Sequence, residues 1–333
     1  MGIFTKEIGT VFLNESKRVE EFIVKLRELE ISIPDGALKN EIKGRINLEK
    51  SGLDGEHAVI YSLKNSRKNM YVIHDLNIGS QIDFLIITSK QVYVVECKNW
   101  KGDIEVSENG DFYVYEDKKI DKTRKRYKSP TSQNEEHLRA VKDLLVHSKS
   151  NIFNKKRIEE EYEKRYCSLV VFTNTSSVID TSKARMIDSK PVVHIDQLIR
   201  RINDIEASIK DNMSIKQMKE LADFFIENNH PDIEKYEKEF HVYWEKVRRL
   251  KEEIANIEKP KKEDEELEKQ LRHFRTFISK QKNIKPYIVF NDKSMKELVS
   301  KRPKTKEELL SIEGFGQKKL QDYGEKILKI INE

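Results

Sequence analysis

Cysteine is nearly absent from this chain. There are two in 333 residues, Cys97 and Cys167, each inside an apolar, strand-like run. Buried free thiols are expected, and neither a disulfide framework nor a cysteine-rich zinc site can be built from two such residues. Also missing are an apolar run of membrane-spanning length and a secretory signal pattern. Lys6 stands where a myristoylation signal after Gly2 requires Ser or Thr, which excludes that anchor. A soluble, cytoplasmic protein with no membrane partner is the expectation. Charge of one sign is scarce too: 63 basic against 58 acidic residues leave a net charge of +5. Any affinity for a polyanion must therefore come from how charge is distributed rather than from its sum. Glycine is absent from residues 205–268, where Glu and Lys abound.

What is present is a hydrophobic content of 37% beside 36% charged residues, polar for a single globule of this length. One domain of ordinary size with one or two small ones, joined by charged helices or linkers, fits these proportions. The most informative stretch runs from Ser80 to Trp100, SQIDFLIITSKQVYVVECKNW. Two β-branched, alternating runs flank a short polar Ser89-Lys90, which predicts a β-hairpin. Pairing Thr88 with Gln91 and counting outward sets Asp83 opposite Glu96 and Gln81 opposite Lys98. The period of two then puts Asp83, Glu96 and Lys98 on one face and Val95 and Cys97 on the other. Opposed carboxylates, with Cβ atoms about 4.5–5.5 Å apart, repel each other. A shared divalent cation removes the conflict, and hard oxygen ligands suit Mg²⁺ or Mn²⁺. A lysine two residues from one ligand can then meet charge developing on a phosphate or position the attacking water. The competing reading is an exposed face on which both acids pair with lysines.

Elsewhere the patterns are coarser. Residues Lys6 to Leu29 carry apolar residues at helical spacing and predict an amphipathic helix that ends around Pro34, serving as core packing or a dimer contact. Asp54 is expected to N-cap a second helix with Glu56 in its first turn, where a carboxylate complements the dipole. His57 and His74 are expected to be ordinary histidines. Met70 to Ile78 reads as a strand, and Asp103 to Val106 with Asp111 to Tyr115 as a strand pair around Asn109-Gly110. The run Lys118 to Lys128 is dense in cations, including Lys122, Arg124, Lys125, Arg126 and Lys128. It reads as a solvated loop that could track a nucleic-acid backbone. Ser129-Pro130 opens a helix on which Gln133 and His137 share a face. Cys167 to Thr173 is a buried, parallel strand by its unbroken apolar character, and Pro191 to Ile195 is another. These units predict a mixed sheet with helices on both faces. A long charged helix is expected to end near Lys259-Pro260, followed by a linker at Lys261 to Glu266. Beyond Leu267, closely spaced helix starts and stops predict a small all-α domain. Thr305 and Glu308 suit a capping box, and Gly314-Phe315-Gly316 forms a turn with Lys318 and Lys319 near the following helix start.

Taken together and in order, Gly55-Glu56-His57, Ile82-Asp83-Phe84, Val95 to Trp100, Ser129-Pro130 with Gln133, and Val170 to Thr173 resemble the NERD (nuclease-related) domain. That domain is a branch of the PD-(D/E)xK nuclease superfamily. The resemblance covers residues 45–200 and implies an α/β, restriction-endonuclease-like core. In it Glu56, Asp83 and Glu96 are acidic metal-site residues, Lys98 is the catalytic lysine and Gln133 an accessory polar residue. The proline that names the superfamily is missing before Asp83, where Ser80-Gln81-Ile82 stands. From about residue 264 to the end, Leu271 to Phe277, Pro286 to Phe290, Asp292, Leu298 to Pro303, Ile312 to Gly316 and Tyr323-Gly324 resemble an HRDC domain. That implies an auxiliary nucleic-acid- or partner-binding module.

The resulting division is a helical segment at 1–44, a NERD domain at 45–204, a charged helical linker at 205–263 and an HRDC domain at 264–333. The expected activity is metal-dependent phosphodiester hydrolysis, with DNA favoured over RNA. Asp83, Glu96, the Cys97 carbonyl and Glu56, directly or through water, would hold Mg²⁺ or Mn²⁺. Lys122 to Lys128 and Lys318-Lys319 would hold the nucleic-acid backbone. Two other readings compete: a non-catalytic nucleic-acid-binding adaptor that recruits helicase or repair proteins, and an assembly protein that forms homo-oligomers through its charged helices.

Overall fold

The computed structural model describes residues 8–14, 16–116, 124–148 and 155–332. Its centre is a six-stranded mixed sheet. The chain enters through β1 (Thr10–Asn14), α1 (Arg18–Ile31) and α2 (Ala37–Lys64), then builds the meander β2 (Met70–Asn77), β3 (Gln81–Thr88) and β4 (Val92–Lys98). A second sheet follows, with β5 (Asp103–Val106), β6 (Phe112–Tyr115) and β7 (Arg124–Tyr127). Next come α3 (Pro130–His147), α4 (Lys155–Arg165), β8 (Tyr166–Phe172), β9 (Ile179–Asp180), α5 (Met186–Ser189) and β10 (Val192–His194). The first sheet has the order β1-β2-β3-β4-β8-β10 and the second β7-β6-β5-β9. In the first, β2, β3 and β4 are antiparallel, while β8 runs parallel to both β4 and β10.

Helices α6 (Leu198–Ala207) and α7 (Ile215–Glu227) complete the layers. One face of the sheet, with Val72, Phe84, Ile86, Tyr93 and Val95, packs on Val59 and Leu63 of α2 and Leu198 and Ile202 of α6. The other, with Ile73, Leu85, Ile87 and Val94, packs on Val141 and Leu145 of α3 and on Leu221 and Phe225 of α7. Period-two burial on both faces explains why these strands read as near-continuous apolar runs. The mixed, helix-flanked sheet agrees with expectation.

Several boundaries differ. The helix expected from Lys6 begins only at Arg18, because Thr10–Asn14 instead form β1, parallel to the open edge of β2 in the register Thr10↔Met70. Gly9 sits at φ +65°, and the Ile8 and Gly9 amides both donate to Asn69 Oδ1, at 2.8 and 2.9 Å, which fixes the strand start. The second helix starts at Ala37, so Asp54 lies inside α2 rather than capping it. Residues 205–263 are not all spacer: α7 carries a capping box of Ser214 and Gln217 and buries Met218, Leu221, Ala222, Phe224 and Phe225 on the sheet. The last charged helix, α8 (Glu234–Gln281), continues through Pro260 and the expected linker. A missing backbone donor costs one hydrogen bond in a long run of strong helix formers, so the helix persists.

The chain divides into two units, Met1–Trp244 and Glu245–Glu333, with the boundary inside α8. The second unit adds α9 (Pro286–Val289), α10 (Asp292–Lys301), α11 (Lys306–Leu310) and α12 (Gln317–Asn332). Its core gathers Leu271, Phe290, Leu298, Leu309, Phe315 and Ile327. Thr305 accepts from the Glu308 amide, but the Glu308 carboxylate takes the Lys304 amide, so only half of the expected capping box forms. Among the described residues no helix is long and apolar enough to cross a membrane.

Candidate active site

The hairpin register is the one counted from the sequence. Phe84↔Val95, Leu85↔Val94, Ile86↔Tyr93 and Ile87↔Val92 pair, and the ladder ends there, one position short of Asp83 and Glu96. Beyond Phe84 the ladder gives way to a side chain: Asp83 Oδ2 accepts the Cys97 N–H at 2.7 Å. A carboxylate has thus replaced a backbone carbonyl, and the strands open at this end into a polar site.

Glu96 is 1% exposed. Lys98 Nζ donates to one of its oxygens, and His137 Nε2, from α3, lies 3.1 Å from the other. With Nε2 donating to the carboxylate, His137 Nδ1 accepts from the Ser80 hydroxyl at 2.6 Å. Glu56, from α2, meets His74 Nε2 at 2.8 Å, and His74 stacks on Phe84 with ring centroids 4.8 Å apart. Both histidines are buried and orient carboxylates, a role that spacing alone assigns to neither. Their signal is visible only once burial is known, since a buried imidazole needs polar partners. Helix α2 can come this close because residue 55 is glycine. A Cβ there would lie 2.9 Å from Thr173 Oγ1, 3.0 Å from Asn99 Cβ and 3.2 Å from Cys97 Sγ.

The electrostatics are those of an acid cluster short of positive charge. Burial, then Glu96, then Glu56 push the Asp83 carboxyl well above the usual carboxylate range, against the pull of Lys98 and the Cys97 amide. Burial works against the charge on Lys98, but Glu96 and then Asp83 outweigh it and hold its pKa above the ordinary value. Burial, followed by Asp83 and Glu56, pushes the Cys97 thiol up, so it stays protonated. Nearby Asp75 behaves oppositely: burial alone would raise it, but Arg18 and then Gln81 hold it low. A cavity of about 40 Å³ is lined by Glu56, His74, Asp75, Gln81, Asp83 and Tyr236, with room for a water.

Among the described residues no group of three or more His, Cys, Asp or Glu side chains is placed to hold a metal ion by itself. The donor set still suits Mg²⁺, which commonly takes one or two carboxylates and keeps several waters. Asp83 and Glu96 with the Cys97 carbonyl meet that description, and burial, then the charge of Glu96, raises the Asp83 pKa. Glu56 is engaged by His74. Gln133 is half-buried on α3, one turn before His137.

The basic run is placed differently from expectation. Lys122 lies outside the described residues. Arg124, Lys125 and Arg126 are not in a loop but in β7, paired with β6. Strand pairing brings them acids that the linear sequence keeps apart: Lys125 meets Glu116 at 2.8 Å and Arg126 meets Asp111 at 2.7 Å, while Lys128, just past β7, meets Glu136 of α3 at 3.7 Å. In the second unit, exposed Lys318 and half-buried Lys319 lie in the first turn of α12, with Lys319 over the Phe315 ring.

Residues 51–173 match the nuclease-related domain family, and residues 264–331 match the HRDC domain family. The chain therefore carries a nuclease-related domain followed by an HRDC domain. It is similar to the ATP-dependent DNA helicase RecQ of Bacillus subtilis, 39% identical over 69 residues, which are 21% of this chain and 12% of the helicase. Similarity to the ATP-dependent DNA helicase UvrD2 of Mycobacterium tuberculosis is 34% over 68 residues, or 20% of this chain and 10% of that protein. The chain thus spans about a tenth of the length of these helicases. An uncharacterised protein of Bacillus anthracis is 24% identical over 210 residues, 58% of this chain and 93% of its own length.

Proposed function

We propose that this protein is a metal-dependent nuclease whose HRDC domain adds affinity for nucleic acid. The observation that carries the reading is the convergence of Asp83, Glu96 and Lys98 at the open end of the β3–β4 hairpin, with the Asp83 carboxyl held above its ordinary pKa by burial and then by Glu96 and Glu56. Structural ion pairs relieve like charge, whereas ligand sites accumulate it. Asp83, Glu96 and the Cys97 carbonyl would hold Mg²⁺ or Mn²⁺, with Glu56 contributing through water. When bound, the ion supplies an activated water and neutralises charge on the phosphodiester.

The chain's own residues do the rest. Lys98, whose ammonium is held charged, leaves Glu96 and donates to a non-bridging phosphate oxygen as negative charge grows there. His137 keeps the second Glu96 oxygen in place, and His74 does the same for Glu56. Gln133 offers an amide to the phosphate or to the water from the start of α3. The HRDC segment, with Lys318 and Lys319, and the β7 cations supply backbone affinity that falls with salt. DNA is the favoured substrate, because the named helicases that resemble the HRDC segment act on DNA.

The test is incubation of purified protein with labelled single-stranded DNA, duplex DNA and RNA, with and without Mn²⁺, beside Lys98→Ala. Cleavage that needs the metal and is lost in Lys98→Ala supports the enzyme. Binding without cleavage under every condition leaves the adaptor that recruits helicase or repair proteins.

A further inference from the structure

The wall beside Lys98 is aromatic, and hydrolysis by itself gives it no role. In the parallel pairing of β4 with β8, Glu96 stands beside Val170 and Lys98 beside Phe172. Val170 and Phe172 therefore share the face of the first sheet that carries Glu96 and Lys98. The second sheet packs on that same patch through Ile104, Val106, Phe112 and Val114. Trp100, two residues after Lys98, fills the seam between the sheets. Its ring centroid lies 5.4 Å from that of Phe172, 6.3 Å from that of Phe112 and 4.5 Å from that of Tyr127.

Tyr127 is the outer member of this stack. It stands opposite Phe112 at the end of β7, is 38% exposed, and lies two residues before the Ser129 cap of the helix that carries Gln133 and His137. Lys125, two residues earlier on the same side of β7, and Lys128, one residue later, are both exposed. Their partners Glu116 and Glu136 are exposed as well, so either pair can be exchanged for a phosphate at little cost. On the opposite side of β7 the Arg124 guanidinium lies 3.5 Å above the Tyr113 ring. Filling the seam explains the buried side of Trp100. It does not explain an exposed tyrosine edge set among cations and stacked on Trp100.

We propose that Trp100 and Tyr127 form a stacking step for an unpaired base, so that the strand presented to Asp83, Glu96 and Lys98 is single-stranded nucleic acid. A duplex keeps its base faces covered by neighbouring pairs, whereas an unpaired base offers a face to an aromatic ring without regard to its identity. Lys125 and Lys128 hold the phosphates on either side, which makes the affinity salt-dependent. The position of the step relative to the chemistry rests on the hydrolytic reading, but its occupancy can be measured without any cleavage.

The chain has two tryptophans, so Trp244→Phe leaves Trp100 as the reporter. In EDTA, the full-length protein is titrated with oligothymidylate, oligouridylate and a blunt hairpin duplex of equal length. Expected is quenching of Trp100 emission by both single strands, at least roughly tenfold tighter than any binding of the duplex at the same salt. Tyr127→Ala should weaken single-strand binding by roughly tenfold, Tyr127→Phe should retain it, and the salt slope should be the same in both. Because Tyr127 is exposed, its loss tests the step without opening the seam as Trp100→Leu would. Emission unchanged by single strands, equal affinity for duplex, or full binding by Tyr127→Ala each overturns the proposal. Single-strand quenching without cleavage in Mn²⁺ overturns the hydrolytic reading alone, and metal-dependent cleavage with unquenched Trp100 overturns the stacking step alone.

Discussion

The two ends of the β3–β4 hairpin each bury a glutamate, and the contrast between them separates an acid whose partners balance it from one that faces other acids. At the turn end, Glu206 of α6 is 8% exposed. It takes Thr88 Oγ1 at 2.5 Å and Tyr93 Oη at 3.4 Å on one oxygen and Lys68 Nζ at 2.8 Å on the other. Lys90 caps the same helix by donating to the Glu206 carbonyl. Burial and then Glu206 push the Tyr93 phenol up, so it stays a donor. One acid, one cation and two hydroxyls make a closed set. At the open end, Glu96 also has a cation and a second donor, but it faces Asp83, with Glu56 close enough to add to the repulsion. A buried carboxylate is tolerated when its partners balance it. Left with a surplus of like charge, the open end is suited to a cation from outside.

The largest effects should come from breaking the open end chemically. Lys98→Ala and Asp83→Ala are each expected to lower single-turnover cleavage of labelled single strands by about 10²–10³-fold while nucleic-acid binding persists. Unchanged cleavage would show that the two ends do not differ in function. The closed end should respond in stability instead. Glu206→Ala leaves Lys68 and Thr88 without their acceptor and is expected to cost about 2–4 kcal/mol in urea unfolding, with the proposed metal-dependent cleavage by the folded protein unaltered.

His137 sharpens the comparison, because it separates holding a carboxylate from merely filling space. His137→Ala should weaken Mn²⁺ binding, followed by the electron paramagnetic resonance of the free ion, by about 10–100-fold, with partial recovery in His137→Gln. Equal affinity in the alanine variant would reduce His137 to packing. The smallest change is expected from Asp83→Asn, whose amide oxygen can still accept the Cys97 N–H. Removing the charge repelled by Glu96 and Glu56 should raise the melting temperature of the metal-free protein by about 2–4 °C while abolishing metal binding. A lower melting temperature would mean that Asp83 is already balanced and that the two ends are alike.

Much of the open end was legible because its information is local. A two-residue connection fixes which residue stands opposite which, so the ladder from Ile87↔Val92 to Phe84↔Val95 follows from counting. The position of β1 was not legible: Val11 and Phe12 fit a helical stripe, and only the vacant edge of β2 makes them a strand. The β7 cations read as an unopposed run because Asp111 and Glu116 reach them through strand pairing rather than through sequence proximity. Pro260 looked like a helix end, although its neighbours on both sides favour helix strongly enough to carry through it.

Spacing along the chain was enough to place the hairpin, its register up to Phe84↔Val95, and the separate helical module at the end of the chain. These depend on spacing and local turn chemistry, which a linear chain already contains. Packing alone settled that His74 holds Glu56 and His137 holds Glu96, that Gly55 lets α2 approach Cys97 and Asn99, and that Trp100 meets Tyr127. Each of those relations joins residues from separate elements. Such pairings are set by which faces exclude water together, a choice made when the sheet and its helices pack.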